Sequence, residues 1–205
     1  YVYFNQLGEE RRANPRDDII TKLITEVEGD ALGPHEFETF CLVLTVAGNE
    51  TTRNATSHGL LALLENPDQM QKLREHPELL DSAIEEILRW ASPVIHFRRT
   101  AMRDAEIGGQ AIAEGDSVVM FHISANRDED VFEDPFRFDI TRDPNEHIAF
   151  GGGGAHHCLG ANLARLELQI VFKELLASTR SITQAGDVQR LRSNFINGIK
   201  HMPVD

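Results

Sequence analysis

The chain has 205 residues of ordinary globular composition, enough for one domain with a hydrophobic core. With 33 acidic and 20 basic residues it carries a formal net charge of −13, which disfavours nucleic acid and anionic membrane surfaces as partners. Two cysteines in different contexts do not form a disulfide framework, so we predict a reducing compartment, the cytoplasm, and no run of residues predicts a membrane span.

The first elements are predicted helices. Residues 1–14 have the pattern of the end of a helix, and because the start carries neither Met nor a signal-peptide pattern, we expect that an N-terminal half is absent. The apolar spacing from Asp17 to Glu28 predicts a second helix, and residues 29–33 predict a turn. Pro34 then begins a helix that can continue to about Glu65, a length of roughly 48 Å.

The first half of this long helix is apolar on nearly all sides, which predicts that it is buried. The residues concerned are Phe37, Phe40, Cys41, Leu42, Val43, Leu44 and Val46. Near its middle, Gly48 costs the helix about 1 kcal/mol relative to alanine. The Thr51 hydroxyl can bond the carbonyl of Ala47 and open the helix, which would admit a small ligand beside Glu50. The alternative is a tolerated glycine and a threonine bonded to its own helix.

Two further helices are predicted over residues 68–76 and 77–90. Glu86 and Arg89 lie three residues apart in the second and can pair on one face, a signal that is weak by itself. Short strands are predicted over residues 94–101, 106–107, 111–112 and 117–121, and alternation places Arg98 and Arg99 on opposite faces of the first.

The remaining chain predicts an irregular coil, one helix and a terminal hairpin. The coil covers residues 124–145, and the helix extends from Ala161 to about Thr179. Asn197-Gly198 predicts a hairpin within residues 182–205. The core face predicted for the helix consists of Leu163, Leu166, Ile170, Val171 and Leu175. We therefore predict one domain over residues 1–205, mainly α with small β-sheets.

The stretch from Phe150 to Gly160 contains four consecutive glycines and then Cys158, directly before the helix that begins near Ala161. Glycines let the backbone lie flat against a large group, and the helix N-terminus favours an anion, which for cysteine is the thiolate. A haem-iron ligand is the interpretation that we favour. A phosphate site lacks its usual lysine, a zinc site needs four ligands, and a Cys/His nucleophile pair gives the glycines no role.

Four motifs in this order resemble the C-terminal half of a cytochrome P450. They are Ala47-Gly48-x-Glu50-Thr51-Thr52, Glu86-x-x-Arg89, Pro135-x-Arg137-Phe138 and the loop from Phe150 to Gly160. Each motif is weak alone, but together they are specific and cover essentially the whole chain. The resemblance implies the cytochrome P450 fold, with a long central helix, a thiolate loop and a helix after it.

The resemblance also implies the roles of individual residues. Cys158 would be the axial ligand of the iron of haem b, while Glu50 and Thr51 would deliver protons to dioxygen. Glu86, Arg89 and Arg137 would form a buried structural triad. The haem contacts would come from Ala47, Gly48, Arg99, Phe150, Gly152, His156, Cys158, Gly160 and Ala164. The substrate pocket would be lined by Ala47, Val43, Val94, Ile95, Phe195 and Ile196.

Within the family, the chain resembles bacterial steroid side-chain oxidases in four stretches: Ala47–Asn54, Glu86–Val94, Gly160–Arg165 and Asn197–His201. This predicts a haem-thiolate monooxygenase that hydroxylates a bulky apolar substrate, a sterol side chain, with electrons from a ferredoxin and its reductase. The redox partner would dock near Lys72, Arg74 and Arg165. Two departures, the unbroken glycines and His157 in place of an aromatic residue, weaken the substrate prediction. The alternatives are a haem-thiolate peroxygenase or isomerase, and a truncated haem-binding fragment without catalysis.

Overall fold

The computed structural model describes residues 1–25 and 32–205. The chain forms two compact units, Tyr1–Glu50 and Thr51–Asp205, and each is described by itself. The organisation as a single domain stays a prediction. None of the helices in the described ranges is both long and apolar enough to cross a bilayer.

The first unit contains helices α1 (Val2–Ala13) and α2 (Ile19–Ile24) and the beginning of α3 (Pro34–Glu65). Asp18 caps α2, because its side chain accepts a hydrogen bond from the Thr21 N–H at 2.8 Å. Hydrogen bonds from Arg11 and Thr21 lower the pKa of Asp18 to about 2. The rest of the predicted second helix and most of the turn after it lie outside the described residues.

Helix α3 has the predicted bounds and runs from Pro34 to Glu65 without a break, so the predicted opening beside Thr51 does not interrupt it. The prediction that its first half is buried on all sides is wrong. Phe37 and Cys41 are buried, but Leu42, Val43 and Val46 are between 45% and 61% exposed. The apolar pattern shows that this side of the helix suits an apolar environment, and the described residues do not cover it.

The core of the second unit lies between the last part of α3, helix α4 (Pro67–Glu75), helix α5 (Leu80–Ala91) and helix α7 (Ala161–Ser178). A 3₁₀ turn at Pro77–Leu79 joins α4 to α5. Gly59 brings three of these helices together, since a Cβ atom at this position would lie 2.6 Å from Ile87 and 2.8 Å from Phe172. The buried core consists of Ala55, Ala62, Leu63, Leu73, Ala83, Ile84, Ile87, Leu88, Phe138, Ile140, Leu168 and Phe172.

The predicted core face of α7 is also wrong for four of its five residues. The buried residues are Ala161, Leu168 and Phe172, and Leu175 packs against them. Helix α7 carries two apolar stripes at helical spacing, and only one of them contacts α5 and the core. The other is exposed and contains Leu163, Leu166, Ile170 and Val171.

Three two-stranded antiparallel sheets complete the second unit. Strand β1 (His96–Thr100) pairs with β4 (Ser117–Phe121), β2 (Ala105–Ile107) with β3 (Gln110–Ile112), and β5 (Gln189–Arg190) with β6 (Ile199–His201). The short helix α6 (His122–Ala125) follows β4, and the predicted irregular coil leads from it towards α7.

The terminal hairpin differs from the prediction in the position of its turn. The Leu191 N–H donates to the Gly198 carbonyl at 2.8 Å, so Asn197-Gly198 lies at the base of the hairpin and not at its tip. A Cβ atom at Gly198 would be 3.0 Å from the Cβ of Leu191, which explains why a glycine suits this crossing. The Asn197 side chain donates to the Ala91 carbonyl at 2.6 Å and so ties the base to α5.

Candidate functional site

The glycine-rich loop holds Cys158 ahead of α7. The Cys158 N–H donates to the Phe150 carbonyl at 3.0 Å, and Gly160 is the N-cap of α7. Gly151, Gly153 and Gly154 have φ values of 90°, 97° and 77°, which residues with a side chain rarely adopt. The loop therefore needs its glycines for its backbone path as well as for its flat surface.

The surroundings of Cys158 fit a large, flat, apolar group such as haem. A Cβ atom at Gly152, Gly153 or Gly154 would meet nothing within 4 Å, so one side of the loop is open. The thiol is exposed, and the neighbouring Leu159 is 73% exposed. The other cysteine, Cys41, is buried, and this burial raises the pKa of its thiol, which does not suit a ligand. No cluster of metal-binding side chains is found within residues 1–25 and 32–205, so the zinc alternative gains no support.

The cationic and polar residues predicted to bind haem lie on the surface of the second unit. Arg99 is on β1 opposite Val118, with its guanidinium 5.8 Å from the Phe97 ring centre. His156 is exposed within the loop. The charge of Arg99 also acts on the buried His122. Burial is the main cause that lowers the pKa of His122, and the charges of Arg99 and His96 lower it further. Arg99 and His156 can thus meet carboxylate groups of a ligand such as haem.

Glu86 and Arg89 form a completely buried pair on α5. The Arg89 Nε and Nη2 atoms donate to the two Glu86 carboxylate oxygens at 2.7 and 2.8 Å, and Arg89 Nη1 donates to the carbonyls of Asn126 and Pro135. Every charged oxygen and nitrogen of the pair is thus bonded, as a buried charge requires. The pair fastens the irregular coil to α5.

The third member of the predicted triad is corrected by the structure. The Arg137 side chain is 64% exposed and pairs with Asp139, at 3.6 Å, while its carbonyl accepts from Arg89. The side chain of Arg142, 9% exposed, pairs with Glu86 instead, at 3.2 Å from Nε to Oε2. Arg142 also donates to the Glu133, Asp134 and Arg137 carbonyls, so its planar guanidinium joins three residues of the irregular coil.

A second carboxylate network surrounds Glu85, the neighbour of Glu86. Arg165 on α7 donates to Glu85 through Nε and Nη2 at 2.6 and 2.8 Å, and the His147 Nε2 atom lies 3.0 Å from the same carboxylate. Burial acts to raise the pKa of Glu85, but the hydrogen bonds from Arg165 and His147 outweigh it and lower the pKa to about 2. Glu85 is therefore a permanent anion at neutral pH.

The docking of a redox partner near Lys72, Arg74 and Arg165 stays a prediction, and each of these residues has a hydrogen-bond partner within the chain. Arg165 is bound to Glu85, and Lys72 donates to the Thr141 hydroxyl at 3.4 Å. Arg74 donates to the Leu176 and Thr179 carbonyls at 2.7 and 2.8 Å, which caps the C-terminus of α7. All three cations have internal partners, so charge reversal at these positions would disturb the fold as well as any docking.

Four residues predicted to line a substrate pocket are adjacent in the structure. Val94 forms an antiparallel bridge with Ile196, and the Ile95 N–H donates to the Phe195 carbonyl at 2.9 Å. The Phe195 ring lies 5.9 Å from that of Phe97, between ring centres. The chain after α5 and the tip of the terminal hairpin thus form one apolar surface.

The remaining predicted residues lie on α3 and α7. Ala47, Gly48, Glu50 and the exposed Val43 belong to the part of α3 in the first unit, and Thr51 begins the second unit. In the first turn of α7 the Ala164 N–H donates to the Gly160 carbonyl at 2.8 Å. The roles of these residues stay predictions.

Sequence reasoning missed several residues that hold this region in place. His147, Asn126 and Arg142 lie in irregular chain, where no periodicity marks a buried polar side chain. Glu85 was hidden beside Glu86 near the middle of the predicted helix over residues 77–90, where no sequence signal distinguishes the two carboxylates.

Comparison with known proteins agrees with this geometry. The sequence matches the family profile described as Cytochrome P450 over residues 3–197. A steroid C26-monooxygenase of Rhodococcus jostii is 50% identical, with 99% of this chain and 43% of that protein covered. A methyl-branched lipid omega-hydroxylase of Mycobacterium bovis is 48% identical, with 99% and 48% covered. The chain spans about half the length of the curated relatives it matches.

Solved structures show the same fold. A Mycobacterium marinum cytochrome P450 in complex with pseudoionone superposes with a TM-score of 0.92 at 46% identity, covering 99% of this chain and 50% of that one. A Bacillus megaterium enzyme in complex with testosterone gives 0.92 at 39% identity, covering 99% and 57%. The predicted fold class is confirmed, and the chain belongs to the cytochrome P450 family.

Proposed function

We propose that this chain is part of a haem-thiolate monooxygenase. The observation that carries the proposal is the exposed Cys158 thiol on an open glycine loop, in a chain that matches the cytochrome P450 family profile. Haem b, when bound, would supply the iron at which dioxygen is activated.

The residues of the chain have separate tasks in this proposal. Cys158 binds the iron as a thiolate, and its N–H is already engaged by the Phe150 carbonyl, which orients the residue. Arg99 and His156 neutralise the haem carboxylates. Glu50 and Thr51 are consecutive on α3, where a carboxylate and a hydroxyl can hold a proton and pass it on. Ala47, Gly48, Phe150, Gly152, Gly160 and Ala164 provide the remaining haem contacts.

For the substrate we propose a bulky apolar molecule, a sterol oxidised in its side chain. The surface formed by Val94, Ile95, Phe195 and Ile196 is apolar, and one relative is named a steroid C26-monooxygenase. A second relative of similar identity is named a methyl-branched lipid omega-hydroxylase. A branched lipid is therefore the second candidate, and titration with both substrate classes distinguishes them.

We further propose that electrons come from a ferredoxin and its reductase, and that the protein works in the cytoplasm. The support for the partner is the family resemblance, and for the compartment the presence of only two, widely separated cysteines. Lys72, Arg74 and Arg165 stay the proposed docking residues, and Arg165 remains partly exposed although it binds Glu85.

The test is the absorption spectrum of the reduced protein with carbon monoxide. We expect the long-wavelength Soret band of a thiolate complex in the wild-type protein and its loss in Cys158→Ala. Cys41→Ala is the matched control and should keep the band, because Cys41 is buried away from solvent. A protein that takes up no haem, or a band that survives in Cys158→Ala, refutes the proposal.

Substrate identity follows from the same preparation. Titration with cholest-4-en-3-one should shift the Soret band at a lower concentration than a methyl-branched fatty acid does. The reverse order would favour the lipid, and a shift with neither would contradict both substrate proposals for the compounds tested.

A further inference from the structure

Helix α5 carries two adjacent glutamates that serve different parts of the chain. Successive residues on a helix project about 100° apart, since a turn holds 3.6 residues. Glu86 accordingly faces the irregular coil and Arg142, whereas Glu85 faces α7 and His147. The Glu86 network supports the fold, and the contacts of Glu85 lead towards Cys158.

The first path from Glu85 runs through His147. The Ala149 N–H donates to His147 Nδ1 at 3.2 Å, so Nδ1 is an acceptor and the ring proton is on Nε2. Nε2 therefore donates to the Glu85 carboxylate at 3.0 Å. The His147 side chain is only 3% exposed, so both bonds are shielded from water. Glu85 thus holds the His147 ring, and the ring in turn holds the backbone N–H of Ala149, the residue before Phe150.

The second path runs through Arg165. Its bidentate bonds to Glu85 hold the guanidinium in one orientation, 4.6 Å from the centre of the Phe150 ring. A guanidinium above an aromatic ring attracts the face of that ring. Because Glu85 holds one edge of the Arg165 guanidinium, the position of the guanidinium also restricts the position of the Phe150 ring. The Phe150 carbonyl in turn accepts the Cys158 N–H. Both paths thus converge on Phe150, the residue that orients Cys158.

We propose that Glu85, His147 and Arg165 are positioning residues that hold the Phe150–Cys158 segment in the geometry needed for thiolate ligation. This inference rests on the proposed haem-thiolate function, because it assigns the network a role towards the ligand cysteine. The competing explanation is that Arg165 and Glu85 only join two helices.

The chain offers a matched control for that explanation. Gln169 on α7 donates to the Asp81 carboxylate on α5 at 2.7 Å. Asp81 lies four residues before Glu85, and Gln169 four residues after Arg165, so this bond joins the same two helices one turn further from the loop. Asp81→Asn, like Glu85→Gln, replaces a carboxylate with an amide at a contact between these helices, but it does so without acting on Phe150.

The experiment compares Glu85→Gln, Arg165→Lys and Asp81→Asn in the haem-loaded protein. Hydrogen exchange is measured for peptides that contain the amides of Ala149, Gly151 and Cys158. Loss of a charge-assisted hydrogen bond should speed exchange of these amides roughly tenfold in the first two variants and leave Asp81→Asn at the wild-type rate. We also expect the reduced carbon-monoxide complex of Glu85→Gln to lose part of its long-wavelength band after a shorter exposure to mild denaturant than the wild-type complex requires.

Each outcome decides the inference. Equal exchange in all three variants and the wild-type protein, or equal acceleration in all three variants, would overturn it. Arg165→Lys lies at a partly exposed position and keeps the charge, so it provides the answer if Glu85→Gln does not fold. If the wild-type protein shows the thiolate band but the variants exchange at the wild-type rate, the positioning role is refuted and the proposed function is not. Absence of haem from the wild-type protein refutes the proposed function itself.

Discussion

Gly59 and Gly48 lie on the same helix, and the structure predicts that alanine at these two positions has opposite effects on stability. At Gly59 the new Cβ would lie 2.6 Å from Ile87 Cγ2 and 2.8 Å from Phe172 Cζ, and both side chains are completely buried. At Gly48 it would meet nothing within 4 Å.

The magnitudes follow from two opposing contributions. Alanine is favoured over glycine inside a helix by about 1 kcal/mol, which is the whole effect expected for Gly48→Ala. At Gly59 the contacts fall about 1 Å short of the usual 3.5–4.0 Å between carbon atoms. Overpacking of a rigid core costs about 1–3 kcal/mol, and the buried neighbours place Gly59→Ala near the upper end, for a net loss of about 2 kcal/mol.

Urea unfolding followed by far-ultraviolet circular dichroism measures both free energies. The haem-free protein is used, so that the predicted contact of Gly48 with the cofactor does not contribute. The two variants should differ by about 3 kcal/mol, the sum of the gain at Gly48 and the loss at Gly59. If Gly59→Ala is as stable as the wild-type protein, the close approach of α3, α5 and α7 at this glycine is not as described.

Two further predictions concern buried charge and pH. Arg142→Met should lower the free energy of unfolding by about 3–5 kcal/mol because it leaves Glu86 without one of its cations, while Arg137→Met should change it by no more than about 0.5 kcal/mol. Equal effects in urea unfolding would contradict the corrected triad. His58 is buried against the Asn197 carbonyl, at 3.1 Å, and its pKa is lowered to about 4, first by burial and then by the charge of Arg190. Since the folded pKa lies below the ordinary value of 6.5, the unfolded chain binds the proton more readily, and stability present above pH 6.5 is lost as the pH falls towards 4. The loss should approach roughly 3 kcal/mol and should shrink in His58→Gln, and a pH profile of unfolding that is the same in both proteins would exclude His58 as its source.

Much of the fold could be predicted because local signals agreed with the final structure. Pro34 and Asn66-Pro67 mark both ends of α3, and glycine pairs mark the turns between the short strands. The loop before α7 could be predicted because four glycines beside a cysteine have few other uses.

The failures have a common physical origin, which is that sequence spacing does not say which partner a side chain meets. Both apolar stripes of α7 satisfy helical spacing, and only packing against α5 selects the one with Leu168 and Phe172. Arg137 and Arg142 are alike in type and close in sequence, and the path of an irregular coil decides which guanidinium turns inward.

The terminal hairpin has a consequence for how the proposed substrate preference changes during evolution. Its base is fixed to the protein interior by Asn197 and Gly198, whereas Phe195 and Ile196 at the tip contribute side chains to the proposed substrate surface. Substitutions at the tip can therefore alter which molecule is accepted while the anchoring contacts at the base are retained. Substrate preference can therefore change through Phe195 and Ile196 without disrupting the contacts that hold the hairpin in the fold.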